Sequence, residues 1–253
     1  MNLTGFSAMT RREIRRFMVI PAQTLLPPIV SSFLFILIFG TFLGGSLGSV
    51  DGVPYALFFV PGLVVLDIIT SAYANSAFSL FLMRFLNFTS DILTAPLSYF
   101  EIVLAFTIGS VVRSLIVALL VFIVAAFFVP LSFHSILLLI FSAIIASVLF
   151  SSIGLVVGLW AKEFEHLELL TTFLITPLTF LGGMFNSVAM LPEPLKAATY
   201  WNPFFYIINA TRYAVTGISE ANLWLSFLIP IVLAAAFFYF SFYLFRKGYN
   251  LRT

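Results

Sequence analysis

Asp67, Ser71, Asn75 and Ser79 recur every fourth residue, a spacing that lines one polar stripe along a helix whose other residues are apolar. The next apolar run carries a guanidinium, Arg113. Ionisable groups inside hydrocarbon are costly, so each marks a place where something must compensate it. If the two helices meet the same face near residues 81 and 101, a rise of ~1.5 Å per residue puts Asp67 and Arg113 about 21 and 18 Å from it. Similar depth on consecutive helices predicts an ion pair. The stripe then reads in one of two ways: as polar glue between packed helices, or as the wet wall of a substrate path through Asp67, Ser71, Asn75 and Arg113.

Other chemistry is thin. His134 and His166 fall at opposite ends of the expected bundle and cannot share a metal. His166 sits in KEFEHLE, where Glu163, Glu165 and Glu168 have the right chemistry for a ligand set, but a solvated connection explains the same residues. No GxxxxGK[ST], HExxH or GxSxG motif occurs. The chain is therefore expected to be no enzyme, to bind no cofactor or metal, and to do its work by transport or binding.

The elements that position these groups follow from composition. Hydrophobic residues make up 62% of the 253 and charged residues 9%, against about 25% charged in soluble domains. One water-soluble core cannot hide that surface, so the bilayer must serve as solvent. Zero cysteines exclude disulfides and thiolate metal sites, and a net charge of +2 gives no reason to invoke nucleic acid. The first apolar run is too long for a cleaved signal peptide. Six runs reach the roughly 20 residues that a ~30 Å core requires: 22–44, 54–80, 101–129, 135–160, 168–188 and 223–245. Placing both termini inside puts Arg11, Arg12, Arg15, Arg16, Arg84, Lys162, Arg246, Lys247 and Arg252 on the cytoplasmic side, and only Lys196 and Arg212 outside. That asymmetry is the positive-inside pattern.

Residues 1–21 read as an interfacial helix. Leu3, Phe6, Ile14, Phe17 and Met18 share one arc, while Arg11, Arg12, Arg15 and Arg16 share the opposite one. Between the second and third runs, 81–100 carries a helix start at Ser90 and Asp91 and a stop at Pro96. The interval 188–222 is too broken to span and too apolar for an open loop. Pro192, Pro194 and Pro203 punctuate it, Asn202 is placed to cap a helix starting at Pro203, and Phe204, Phe205, Tyr206, Ile207 and Ile208 make that helix apolar. Small residues form ridges at Gly40-xxx-Gly44, Ser147-xxx-Ser151 and Gly154-xxx-Gly158, which suit either an intrachain contact or a subunit seam.

The stretch TPLTFLGGMFNSVAMLPEPLKAATYWNPFFYIINATRYAVTG, residues 176–217, resembles the signature of type 2 ATP-binding-cassette (ABC) exporter permeases, in particular the YadH-type bacterial inner-membrane subgroup. FVPGL (59–63), AYANSAF (72–78) and TAPLS (94–98) are similar to further family segments, and the likeness runs over the whole chain. It implies an all-α integral membrane fold: one permease domain, 1–253, with six transmembrane helices, an N-terminal interfacial helix, a cytoplasmic coupling helix and an outer re-entrant segment. It also implies residence in the bacterial inner membrane, a second permease subunit as a homodimer, and two cytoplasmic ATPases that hold the ATP and Mg.

On that resemblance Arg84–Pro96 docks on the ATPase, and Asn202, Pro203 and Arg212 belong to an outer gate. Arg212 is expected either to reach outer phosphates or to pair with Glu220. The chain departs from the family in one place. Its coupling helix carries only Asp91 where the family is more acidic, so docking must lean on Phe85, Leu86, Phe88, Ile92 and Leu93. The expected cargo is amphipathic or hydrophobic, a lipid, glycan or drug. An ion-coupled secondary transporter using Asp67 and Arg113 is the alternative, weakened because only one half contains a broken helix.

Overall fold

The computed structural model describes residues 2–50 and 52–251, with the side chains of Leu43, Ser46, Leu47, Ser90, Asp91 and Ile92 outside the described set. Among the described residues six helices are long and apolar enough to cross a membrane: span 1 (Pro21–Phe42), span 2 (Tyr55–Phe85), span 3 (Tyr99–Ala126), span 4 (Ile136–Trp160), span 5 (Glu165–Met184) and span 6 (Leu223–Lys247). The six expected runs are all present. The largest difference is in span 2, which continues to Phe85 and so takes Arg84 and Phe85 out of the connection and into the helix.

Span 2 is the axis of the bundle. In its most apolar stretch 89% of residues are buried, against 17% for spans 1 and 6, which therefore present their apolar sides outward. Its closest neighbour is span 4, and the reason lies in the glycines. A Cβ at Gly154 would come 2.6 Å from the Tyr73 carbonyl oxygen, and one at Gly158 2.9 Å from that of Ala77. Ser76 Oγ donates to the Ser151 carbonyl at 2.8 Å across the same seam. Ser147 Oγ meets Ser114 Oγ of span 3 at 2.6 Å. The Ser147 and Gly154 ridges are thus intrachain contacts, with backbones close enough for dispersion and hydroxyl bonds to replace the missing hydrophobic drive.

Spans 1 and 5 are irregular. π-helical turns cover Ile36–Leu43 in span 1 and Thr171–Ile175 and Phe180–Met184 in span 5. Extra residues per turn free carbonyls and re-aim side chains. Gly183, at φ 86, takes a left-handed conformation that a residue with a Cβ adopts only under strain.

The N-terminal helix, Leu3–Val19, runs beside span 3 instead of standing apart. Asn2 N donates to Glu101 Oε1 at 2.8 Å, while Glu13 packs where a Cβ on Gly109 would lie 2.7 Å away. Met9, Glu13 and Phe17 are the buried positions, whereas Leu3 and Met18 stay exposed. The face that docks against protein contains an acid, because Glu13 finds partners there, while Leu3 and Met18 of the expected arc stay outside that contact.

The 188–222 interval holds a short 3-10 helix, Val188–Met190, and two α-helices, Glu193–Trp201 and Pro203–Thr216. Asn202 caps the second, its side chain accepting from Phe204 N at 3.0 Å with Pro203 at the first position, as its sequence predicts. That 14-residue helix is too short to cross and is buried on most of its length among spans 2, 4 and 6. Gly217, at φ 76, ends it.

Candidate functional site

A cavity of about 350 Å³ opens between spans 1, 2, 3 and 5. Its walls mix Pro27, Pro28 and Leu63 with Asp67, Ser71 and Arg113. Asp67 and Arg113 thus share one space, but the expected ion pair does not form. Among the described residues the ion pairs are Arg16–Glu13, Lys196–Glu193 and Arg212–Glu220. Asp67 accepts a hydrogen bond from Ser32 of span 1, and Arg113 Nη2 donates to the Thr24 carbonyl at 3.2 Å. The physical reason is span 1. It lies against both helices and offers each group a nearer partner than the other.

Phe35 bridges this cavity to an aromatic cluster farther along the same helices. Phe185 sits at its centre, with ring centroids 4.8 Å from Phe39, 5.5 Å from Phe59 and 4.9 Å from Phe180. Tyr55 Oη fastens it by donating to the Phe185 carbonyl at 3.0 Å. The rings around Phe185 meet in stacked, tilted and edge-on arrangements and hold one another by packing alone.

The rest of the polar stripe is glue. Ser79 Oγ donates to Glu13 Oε2 at 2.6 Å, and Asn75 Nδ2 donates to Ser110 Oγ at 3.0 Å. Arg16 Nη2 donates to both the backbone and side-chain oxygens of Asn75, at 2.8 and 2.9 Å. Arg16 therefore points inward, away from the polar arc expected for it. Burial pulls its guanidinium below the ordinary value, and the Glu13 carboxylate pulls it back. Glu13 was not among the expected site residues, although a lone acid inside TRREIRR is itself a signal for a specific partner.

The connection after span 2 forms a short helix, Thr89–Thr94, entered through Asn87 at φ 59. Its N-cap is Phe88, not Ser90, because the chain turns helical two residues earlier. The side chains of Ser90, Asp91 and Ile92 lie outside the described residues. Ala95 is extended, as a residue before proline prefers, so Pro96 ends the helix as expected. Phe85, Leu86 and Phe88 are 60%, 48% and 53% exposed and form an apolar tip, with Leu93 partly buried behind them.

That tip is held from two sides. Arg84 donates from Nε to the Asn250 carbonyl at 2.8 Å and from Nη1 to Gly158 at 2.7 Å and Ala161 at 3.1 Å. Its guanidinium is thus held by carbonyls of the chain itself. On the other side, Ser98 and Glu101 form a capping box, Glu101 Oε2 accepting from Ser98 N at 2.7 Å. Glu101 also takes Asn2 N, tying the N-terminal helix to the tip connection. The S-x-x-E spacing at 98–101 is the local signature of this box.

At the other end Arg212 is fully buried. It pairs with Glu220 at 3.1 Å, donates to the carbonyls of Gly183 and Phe58, and lies 3.7 Å over the Phe58 ring. Pairing with Glu220 is thus the outcome, and contact with lipid phosphates is ruled out by burial. Asn202 is buried as well, its Nδ2 donating to the Leu178 carbonyl at 2.6 Å.

Comparison with known proteins matches residues 4–216 to the family described as ABC-2 type transporter. The chain is 38% identical over 242 residues to the inner membrane transport permease YadH of Escherichia coli K12, covering 96% of this chain and 94% of that one. It is 24% identical over 247 residues to nodulation protein J of Bradyrhizobium diazoefficiens, covering 97% and 94%. Nodulation protein J of Neorhizobium galegae is 24% identical over 216 residues, or 85% and 82%.

Proposed function

We propose, for a chain that belongs to the ABC-2 type transporter family, that it is the membrane-spanning half of an ATP-driven exporter of amphipathic or hydrophobic cargo. At the coarser level it is a membrane subunit of an ABC transporter, a multi-pass inner-membrane permease and not an enzyme in itself. ABC permeases work with a partner ATPase, and family membership leaves the ion-coupled alternative without support. The finer reading is a single permease domain, 1–253, assembled as a homodimer on two cytoplasmic ATPases that carry the ATP and Mg. Both termini face the cytoplasm, the 1–21 helix lies at the inner interface, and 188–222 is re-entrant from the outer side.

One observation carries the coupling role. Phe85, Leu86 and Phe88 expose a compact apolar patch on a turn that is fastened at both ends, by Arg84 and by the Ser98–Glu101 box. Large apolar side chains on a polar connection mark a contact surface. A fastened turn also passes a push to spans 2 and 3 instead of absorbing it. Between that tip and the aromatic cluster lies the Asp67–Arg113 cavity, a suitable stage for cargo on the way out. Affinity purification of the intact complex tests the reading. Recovery of an ATP-hydrolysing subunit with the full-length chain supports it, and recovery of the permease alone under mild detergent counts against it.

A further inference from the structure

We propose that Arg113 receives the acid group, a phosphate or carboxylate, of an amphiphilic substrate occupying the cavity between spans 1, 2, 3 and 5. The inference rests on reading this cavity as part of the substrate path. Its starting point is a comparison among the arginines. Arg16 Nε also lacks a hydrogen bond, but its guanidinium has the Glu13 carboxylate at 3.6 Å and both oxygens of Asn75. Arg84 has three carbonyls, and Arg212 has Glu220 with two carbonyls and the Phe58 ring. Arg113 has the Thr24 carbonyl, while its Nε is buried with no hydrogen-bond partner. Among the described residues no carboxylate lies within 4.0 Å of it.

A cation held this way inside a membrane helix is unfavourable unless something anionic visits it. A guanidinium presents its donors as a planar fork that fits phosphate or carboxylate oxygens two at a time. The cavity, at about 350 Å³, falls in the size range of ligand sites. Pro27, Pro28, Leu63 and Leu66 supply apolar wall beside the charge, which suits a chain attached to the acid group. Asp67 lines the same space but is engaged by Ser32.

Equilibrium binding of radiolabelled dodecyl phosphate to the full-length chain in phosphatidylcholine nanodiscs tests this. The account expects saturable binding that dodecanoate displaces and that dodecyltrimethylammonium and inorganic phosphate do not. Arg113→Gln should weaken binding about tenfold or more, while Arg113→Lys, which keeps the charge, should retain saturable binding. Should Arg113→Gln fail to fold, Ser71→Leu fills the cavity and leaves the charge in place, and it should block binding. Equal binding in wild type and Arg113→Gln, or in wild type and Ser71→Leu, overturns the proposal. So does displacement by the alkylammonium, and displacement by inorganic phosphate reduces the site to one for free anions. A chain that co-purifies with its ATPase yet shows no Arg113-dependent binding defeats this inference alone, whereas loss of the ATPase partner defeats the reading beneath it.

Discussion

Arg212 Nη1 lies 3.1 Å from Glu220 Oε2, and through this one guanidinium the buried Pro203–Thr216 helix is joined to span 2 at Phe58 and to span 5 at Gly183. Removing one partner of a buried pair leaves a charge without compensation, at a cost of about 3–5 kcal/mol. Glu220→Gln is therefore expected to lower the unfolding midpoint of the detergent-solubilised protein strongly, and Arg212→Met alone to do likewise. The double variant should lose less than the two singles added together. Strict additivity would show that the two side chains do not support one another.

Asp67 and Arg113 give the opposite expectation. They share a cavity but each is bonded to span 1, through Ser32 and Thr24. With no hydrogen bond or ion pair between them, Asp67→Asn and Arg113→Gln should show less coupling in a double-mutant cycle than Arg212 and Glu220 do. A double variant that regains stability would instead support the ion pair that similar depth predicts and the structure does not form.

Gly154 faces the backbone of span 2, where a Cβ would come 2.6 Å from the Tyr73 carbonyl. Gly154→Val should separate spans 2 and 4 and cost about 1–3 kcal/mol or more. Thermal unfolding in detergent reads this directly, with Gly45→Val as the control because nothing lies within 4 Å of a Cβ there. Equal tolerance of both would mean that the close approach contributes nothing.

The distribution of what could be read from the sequence has a physical pattern. Spans were legible because an apolar run of bilayer length needs no partner to be recognised, and Asn202 with Pro203 was legible because capping is local. Partner choice was not. Depth along two helices places Asp67 and Arg113 alike, but it says nothing of a third helix that reaches both first. The same limit hid Glu13, whose partners Ser79 and Arg16 come together only when the N-terminal helix docks on span 3. It also hid the partners of Arg84, whose acceptors lie far along the chain at Gly158, Ala161 and Asn250.

Sidedness is open to a direct probe, because the chain has no cysteine of its own. Trp201 is 89% exposed and Phe88 53%. With the termini inside, an impermeant maleimide added to intact cells should label Trp201→Cys and spare Phe88→Cys, and inverted vesicles should reverse the result. Asn202 and Ala210, at 3% and 1% exposed, are shielded within the bundle. Ala210→Cys should stay protected at rest and become reactive only if the Pro203–Thr216 helix moves when the ATPase is trapped with nucleotide.

The central claim is that the Phe85–Leu86–Phe88 tip is where an ATPase takes hold of this permease. Phe88→Asp places a charge on an exposed side chain outside the bundle core, so membrane insertion and the unfolding midpoint should not change. The decisive measurement is the amount of ATP-hydrolysing subunit that co-purifies with Phe88→Asp and with wild type at equal permease yield. The account predicts that most of the ATPase is lost, along with cargo-stimulated hydrolysis in whatever complex remains. An undiminished complex with wild-type stimulation would contradict it, and would move the docking surface off this tip.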